Sequence, residues 1–473
     1  MSNTIRYQMW TEKECEQVFE AALKVLNTTG MLIQHEGIRK MLKDAGCEVE
    51  GEIVKILPEI VKKAIETAPK EIQMYDRFGN PAMRLAADNE EFYLGPVLCA
   101  AYCLDIETGE KRAARYEDAV NSVLVCDALP AISWSQTCYA IGEGCGDAGD
   151  VYECHATLKN TTKPFMYWSA GTEHAQAELD MIEAVVGAEN LTKKPIGICL
   201  TTPMDPLKFT EEGAELIAFL AKKNMPQICI CGTNMGCTAP IHITGSILVG
   251  ICDALAGLVI TQIANPGAPY IMCKFSDCLN MENGSMTHSR PESISANIAS
   301  CDIMRYIGLP YCLNFGDTNA GVFDEVAAFD ITLQLTHGLL SGCNMNLCIG
   351  AHESGTIGGL ESLVFGDSVL GHIKKSTQYV PVTEETLAIE SIDEVGPGGN
   401  FLCEEDTFEL CHSMWTPGVF RDRTYTQYLE DGKRTMGEVL NERVKEIVKA
   451  GPKNPLDEET CTRLDEIVKR FEK

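Results

Sequence analysis

From Phe92 onward the chain keeps a regular beat, and that beat constrains the fold more than any other feature. Short apolar runs at 92–95, 131–136, 164–170, 196–202, 227–232, 270–275, 311–316 and 345–350 alternate with amphipathic stretches such as 174–186, 211–223, 244–262, 293–307 and 325–340. Apolar runs this short and this continuous fit parallel strands buried on both faces, and the stretches between them fit crossover helices. Eight such units predict an α/β protein built on a closed parallel (β/α)8 TIM barrel. An open doubly wound sheet is the alternative, but no G-x-G-x-x-G follows a strand.

Around the barrel the pattern changes. Residues 1–90 read as an N-terminal helical extension. Thr11-x-x-Glu14 is a capping box opening a helix that ends near Thr29-Gly30, a second helix runs over 36–45 to Gly46, and Pro58 opens a third that reaches Thr67. A short strand is expected at 72–75. Residues 91–376 form the expected catalytic barrel. After Lys375 the beat stops, and residues 377–473 read as a C-terminal helical segment. It contains the turn-rich Gly396-Pro397-Gly398-Gly399-Asn400 and amphipathic helices at 435–449 and 457–471, which pack on the barrel or on a second subunit.

Composition excludes several partners. A net charge of −29 with no basic stripe sets nucleic acid aside. No run of about 18 uninterrupted apolar residues predicts a membrane span. Met1 to Arg6 lacks a basic start followed by an apolar stretch, so secretion is not expected. The 22 cysteines fall mostly inside apolar runs, as in Ile228-Cys229-Ile230-Cys231, where they read as small buried hydrophobes in a reducing cytoplasm, such as that of an anaerobe.

In a barrel of this kind, function gathers at the C-terminal strand ends and the loops after them. That places Tyr93, Trp134, Tyr139, Tyr167, Trp168, Thr201, Asn234, Lys274, Phe275, Asn314, Phe315, Asp317, Thr318 and His352 as candidates. The set is rich in aromatics for a chain with 7% aromatic residues. Ring faces hold an ammonium that carries methyl groups and cannot donate hydrogen bonds; each ring taken alone also reads as packing. His352 directly follows the eighth run and reads either as a ligand of a substrate carboxylate or as a packing histidine. Cys229-x-Cys231 places two thiols on one strand face without the second pair a zinc site needs, so no metal site is expected. Glu153-Cys154-His155 reads as a helix face, and Asp302, Asp324 and Asp330 as helix-face or cap carboxylates. The loop 232–236 is either an anion cradle or a plain turn.

Several segments together carry a family resemblance. They include Phe92-Tyr93-Leu94-Gly95-Pro96, Asp105-x-x-Thr108-Gly109-Glu110-x-Arg112, Leu158-x-Asn160-Thr161-Thr162-Lys163-Pro164-Phe165 and Ala239-Pro240-x-x-x-Thr244-Gly245. Further along are Pro266-Gly267-Ala268-Pro269, Gly308-Leu309-Pro310 and Gly358-Gly359-Leu360-Glu361-Ser362. On these the chain resembles the trimethylamine methyltransferase (MttB) superfamily, most clearly over residues 10–375.

The resemblance implies a barrel enzyme that moves a methyl group from an amine to the cobalamin of a separate corrinoid protein, with no tightly bound cofactor of its own. Founding members carry pyrrolysine, and its equivalent falls at or near Gly321 in Gly316-Asp317-Thr318-Asn319-Ala320-Gly321. A member lacking pyrrolysine is similar to the betaine:corrinoid methyltransferases. The implied donor is then a quaternary amine of the glycine betaine, proline betaine, carnitine or γ-butyrobetaine type. The implied binding set is Tyr93, Trp134, Tyr139, Trp168, Phe275 and Phe315 around the cation, with His352 or Lys274 at the carboxylate, and His352 and Gly321 at the reacting centre. A homo-oligomer is implied as well. A zinc-dependent corrinoid methyltransferase with another donor, or a non-catalytic betaine-binding barrel, is the alternative.

Overall fold

The computed structural model describes residues 6–142, 145–411, 414 and 418–471. Residues 1–5, on which the reading of the leader mostly rests, lie outside them. Seven parallel strands form one continuous path. In chain order they are Tyr93–Pro96, Phe165–Trp168, Gly197–Thr201, Gln227–Met235, Tyr270–Leu279, Tyr311–Asn314 and Met345–Ile349. The first lies beside the last, and the path ends at Phe165–Trp168.

The two free edges are joined by the predicted run at 131–136. Ile132 bridges Leu94 and Ser135 bridges Phe165, both parallel. Ser133 N donates to Leu94 O at 2.7 Å, and Met166 N donates to Ser135 O at 3.0 Å. This eighth stave closes the barrel through isolated bridges rather than a regular ladder.

Side-chain alternation decides what faces the barrel axis. Ile271, Cys273 and Phe275 pack inward with Met166, Ile198, Ile228, Cys312 and Met345, whereas Tyr270 and Met272 belong to the core between strands and helices. Trp134 fills the barrel interior against the backbone of Gly95. A Cβ on Gly95 would lie 1.7 Å from the indole, so only glycine fits there.

The N-terminal end of the barrel is stoppered. Strands Glu71–Tyr75 and Pro81–Ala86 pair as an antiparallel hairpin. Its Ile72, Met74, Met83 and Leu85 are buried in the same cluster as the barrel interior. Tyr75 N donates to Pro195 O and Ala86 N to Asn344 Oδ1, both just ahead of barrel strands, at 3.0 and 3.1 Å.

Three helices, Glu12–Thr28, Glu36–Asp44 and Pro58–Thr67, precede the hairpin near the predicted positions. Thr11 and Glu14 make the expected capping box. Between them run short strands the sequence reading did not anticipate, Met31–Ile33, Glu48–Glu50 and Ile53–Lys55.

Helix Ile243–Ala264 is long and apolar enough to cross a membrane, which the search for uninterrupted runs missed. Here it packs on strands Gln227–Met235 and Tyr270–Leu279 on one side and on helices Glu12–Thr28 and Pro58–Thr67 on the other. Burial around the whole helix accounts for its apolarity.

At the C-terminal end, Met436–Ala450 lies on Leu360–Ser376 and Tyr116–Ala128, while Glu458–Val468 lies on Thr172–Val186 and Gly149–Asn160. Both pack on the barrel's own helices. The intervening short helices Glu384–Leu387, Ile389–Val395, Glu405–Leu410 and Tyr425–Glu430 bury no residue. Val380, Leu402 and Phe408 are largely exposed there. All 22 cysteines are free thiols, most of them buried.

Candidate functional site

The strands end at a mouth lined by charge that is buried rather than solvated. Strand Tyr270–Leu279 continues inward-facing past Phe275, which puts Asp277 at the mouth. His288, from the loop after that strand, sits between two carboxylates. Its Nδ1 is 3.0 Å from Asp277 Oδ1 and 3.2 Å from Asp317 Oδ2. Asp277 is 2% exposed and Asp317 1%, so this charge is desolvated.

Burial disfavours the imidazolium, but Asp277 and Asp317 outweigh it and hold His288 at about 10. Burial pushes the Asp317 carboxyl up; His288 opposes that push and Asp277 adds to it. One imidazole thus faces two carboxyl groups.

The cluster is rigidly built. Asn314 Nδ2 donates to Asp317 Oδ2 at 2.7 Å, and Gln334 Nε2 donates to the Asp317 carbonyl at 2.7 Å. Asn319 Oδ1 accepts from His288 N at 3.0 Å, and its Nδ2 donates to Met286 O at 2.8 Å. Two oxygens of the cluster have neither a hydrogen-bond nor an ion-pair partner, Asp317 Oδ1 and Asn314 Oδ1, while Asp277 Oδ1 is engaged by His288.

A second acid lies across the mouth. Helix Gly149–Asn160 carries Glu153, which accepts from Trp168 Nε1 at 2.8 Å, Thr137 Oγ1 at 3.0 Å and Ile141 N at 3.0 Å. Burial pushes its carboxyl up to about 7 against these three hydrogen bonds. Glu153, Trp168, Leu98, Cys99, Met166 and Leu200 line one pocket, together with Asp150. Each acid group acts on a cysteine near the strand ends. After burial, Glu153 is the largest influence raising Cys99, while Asp317, Asp277 and Cys99 all raise Cys348.

The structure sorts the sequence candidates. Trp168 and Phe275 face inward near the strand ends, and Asn314 and Asp317 belong to the acid cluster. Trp134, 1% exposed, is part of the packed interior, with no partner for its Nε1. Tyr93 starts its strand rather than ending it, and its hydroxyl accepts from Arg84 N of the stopper at 3.2 Å. It therefore lies at the end opposite the mouth.

Tyr139 packs on the backbone of Gly358, and Phe315 faces Gly338 of helix Glu325–Leu340, away from the axis. Lys274 also has outward parity. Its ammonium donates to Thr233 Oγ1 at 2.6 Å, to Ser276 Oγ at 2.7 Å and to Phe275 O, under helix Ile243–Ala264. It is fully buried there and does not face the mouth.

His352 has both nitrogens occupied. Nδ1 is 3.1 Å from Ala320 O, and Nε2 is 2.7 Å from Ser362 Oγ. Burial lowers it to about 4, so it is a neutral packing histidine that donates to the carbonyl and accepts from the serine. Gly321 is exposed in the loop after Asn314, with open space where a side chain would stand.

The remaining features resolve simply. The expected loop 232–236 is mostly strand: residues 232–235 end strand Gln227–Met235 in register with Phe275–Cys278, and Gly236 N donates to Ala239 O at 2.9 Å in the turn that follows. Cys229 and Cys231 lie fully buried with sulfurs 3.9 Å apart. Asp324 caps helix Glu325–Leu340.

Sequence reasoning missed Glu153, Asp277 and His288. Ending the strand at Phe275 hid Asp277, which the alternation Cys273, Phe275, Asp277 would have exposed. Glu153 was visible only as a helix face, and His288 lies in a loop with no periodic signal.

A closed barrel whose strand ends open on buried acids and aromatics has the architecture of a barrel enzyme. The chain belongs to the trimethylamine methyltransferase (MTTB) family, whose model matches residues 1–473. It is similar to "Trimethylamine methyltransferase MttB" of Methanosarcina thermophila, 24% identical over 469 residues, covering 96% of this chain and 95% of that protein. It is also similar to "Glycine betaine methyltransferase" of Desulfitobacterium hafniense (strain Y51), 24% identical over 409 residues, covering 85% and 84%. Among solved structures, the monomethylamine methyltransferase MtmB of Methanosarcina barkeri shares the fold, with TM-score 0.55 at 12% identity, over 99% of this chain and 88% of that one.

Proposed function

We propose that this protein transfers a methyl group from a quaternary amine to the reduced cobalt of a corrinoid carried by a partner protein. The observation that carries the reading is the buried anionic mouth beside inward-facing Trp168 and Phe275, in a member of a methyltransferase family. A quaternary ammonium has no N–H to donate, so it is held by ring faces and by nearby negative charge. Asp317 Oδ1 and Asn314 Oδ1 lack partners and suit such a cation.

The residues present fit the donor rather than a resident corrinoid. His352 has no free nitrogen to offer cobalt. In the step, the N–CH3 bond breaks, its electron pair stays on nitrogen, and the amine leaves neutral. The acceptor's cobalt(I) contributes the pair that forms the new bond to carbon. A neutral leaving amine needs no covalent activation, consistent with Gly321 at the position the resemblance assigns to pyrrolysine.

The chain's own tasks are to desolvate the cation, orient one methyl group outward and admit the acceptor at the mouth. The exposed apolar side chains of residues 377–431 support a homo-oligomer as the working form. The test mixes purified protein, reduced cobalamin and a set of quaternary amines, and follows loss of the Co(I) absorbance. Methyl loss from at least one donor is expected; no loss from any, with free cobalamin or a cognate corrinoid protein, refutes the reading.

A further inference from the structure

The two residues expected to anchor a substrate carboxylate are both unavailable, and that changes what the mouth can accept. Lys274 is spent beneath a helix, and His352 is neutral and doubly bonded. We propose that the methyl donor is a quaternary ammonium without a carboxylate, of the tetramethylammonium or choline type, rather than a betaine. The inference rests on the methyl-transfer reading above.

The charge around the mouth carries it. The narrow pocket beside Trp168, about 10 Å³, includes Asp150 and Glu153 and no lysine, arginine or histidine among its described lining residues. The neighbouring pocket, which runs from Trp168 to Thr202 and Glu212, has about 310 Å³, room for a small quaternary ammonium, and likewise no basic lining residue among those described. The cationic side chain at the mouth is His288, and Asp277 and Asp317 already hold it from two sides.

A betaine brings its own carboxylate within a few bonds of the nitrogen. Buried beside Trp168, that group would meet Asp150, Glu153 or Glu212 and, among the described lining residues, no cation to pair with, and buried charge is tolerated only when paired. A carboxylate-free ammonium offsets that negative charge instead. A hydroxyl tail adds no charge and finds acceptors in the partnerless oxygens of Asn314 and Asp317.

The experiment measures methyl transfer to reduced cobalamin from tetramethylammonium, choline, glycine betaine and carnitine, and binding of the same four by calorimetry without cobalamin. An advantage of about tenfold or more in kcat/KM and Kd for tetramethylammonium or choline is expected, which is about 1.4 kcal/mol. A smaller advantage, or a preference for a betaine, overturns this inference and leaves methyl transfer standing. Transfer from none of the four, with free cobalamin or a cognate corrinoid protein, overturns the methyl-transfer reading itself, whatever binds. Glu153→Gln removes one mouth acid and should narrow the gap by improving betaine binding; an unchanged gap in the folded variant overturns the electrostatic origin of the selectivity.

Discussion

Replacing His288 with alanine removes the positive charge that lets two buried carboxylates coexist, and the cost should depend on pH in a defined direction. The imidazole ordinarily titrates at 6.5, and in the fold it is held at about 10. At about 1.4 kcal/mol for each tenfold change in proton affinity, that difference corresponds to roughly 5 kcal/mol. Breaking a buried ion pair by removing one partner costs about 3–5 kcal/mol, which agrees in scale.

Because the folded value is raised, the stabilisation is fully present below pH 6.5 and disappears as pH rises through about 10. His288→Ala should therefore lose ~3–5 kcal/mol at pH 6.5, and much less of that at pH 10, where the wild-type histidine is itself half neutral. Losing the ring also leaves a cavity, but that contribution does not vary with pH, so the slope is the diagnostic. Urea unfolding of both proteins, followed by circular dichroism at pH 6.5, 8 and 10, reads it directly. A difference between the two proteins that changes by less than about 1 kcal/mol across this range would refute the charge argument.

Other perturbations have equally definite outcomes. Trp168→Ala should weaken tetramethylammonium binding by ~1–2 kcal/mol by calorimetry, and unchanged affinity would remove that ring from the site. Wild-type affinity for the cation should rise with pH through about 7 as Glu153 ionises, and Glu153→Gln should flatten that profile. Gly95→Ala drives a Cβ into the Trp134 ring and should cost ~1–3 kcal/mol, read as a lowered melting temperature. His352→Ala should lower stability by ~1–3 kcal/mol through the unpaired Ser362 hydroxyl and Ala320 carbonyl, yet leave donor affinity unchanged; lost affinity in folded protein would return His352 to the site.

The barrel was legible because its strands are buried on both faces and so stand out as apolar runs at even spacing. The same property hid the site. A run apolar on both faces does not reveal which residues point inward, so Lys274 and Phe315 looked like mouth residues although their parity turns them toward the helices. Tyr93 was misplaced for a simpler reason: it begins a strand, and function lies where strands finish. The stave at 131–136 was found from composition alone, since apolarity is visible in sequence even where only isolated bridges form. His288 could not be found that way. Its importance comes from two acids 11 residues before it and 29 after it, brought together by the closure of the barrel.

The hairpin that seals the lower end of the barrel has a kinetic consequence. With Ile72, Met74, Met83 and Leu85 filling that end, the vessel has a single door. In the proposed reaction, donor, acceptor and spent amine must all use it. The donor has to be seated before the bulky acceptor covers the opening, and the demethylated amine can depart only after the acceptor withdraws. Turnover should then be compulsory-ordered, with excess acceptor inhibiting by covering an empty barrel, and that traffic order would follow from a plug lying at the far end from the chemistry.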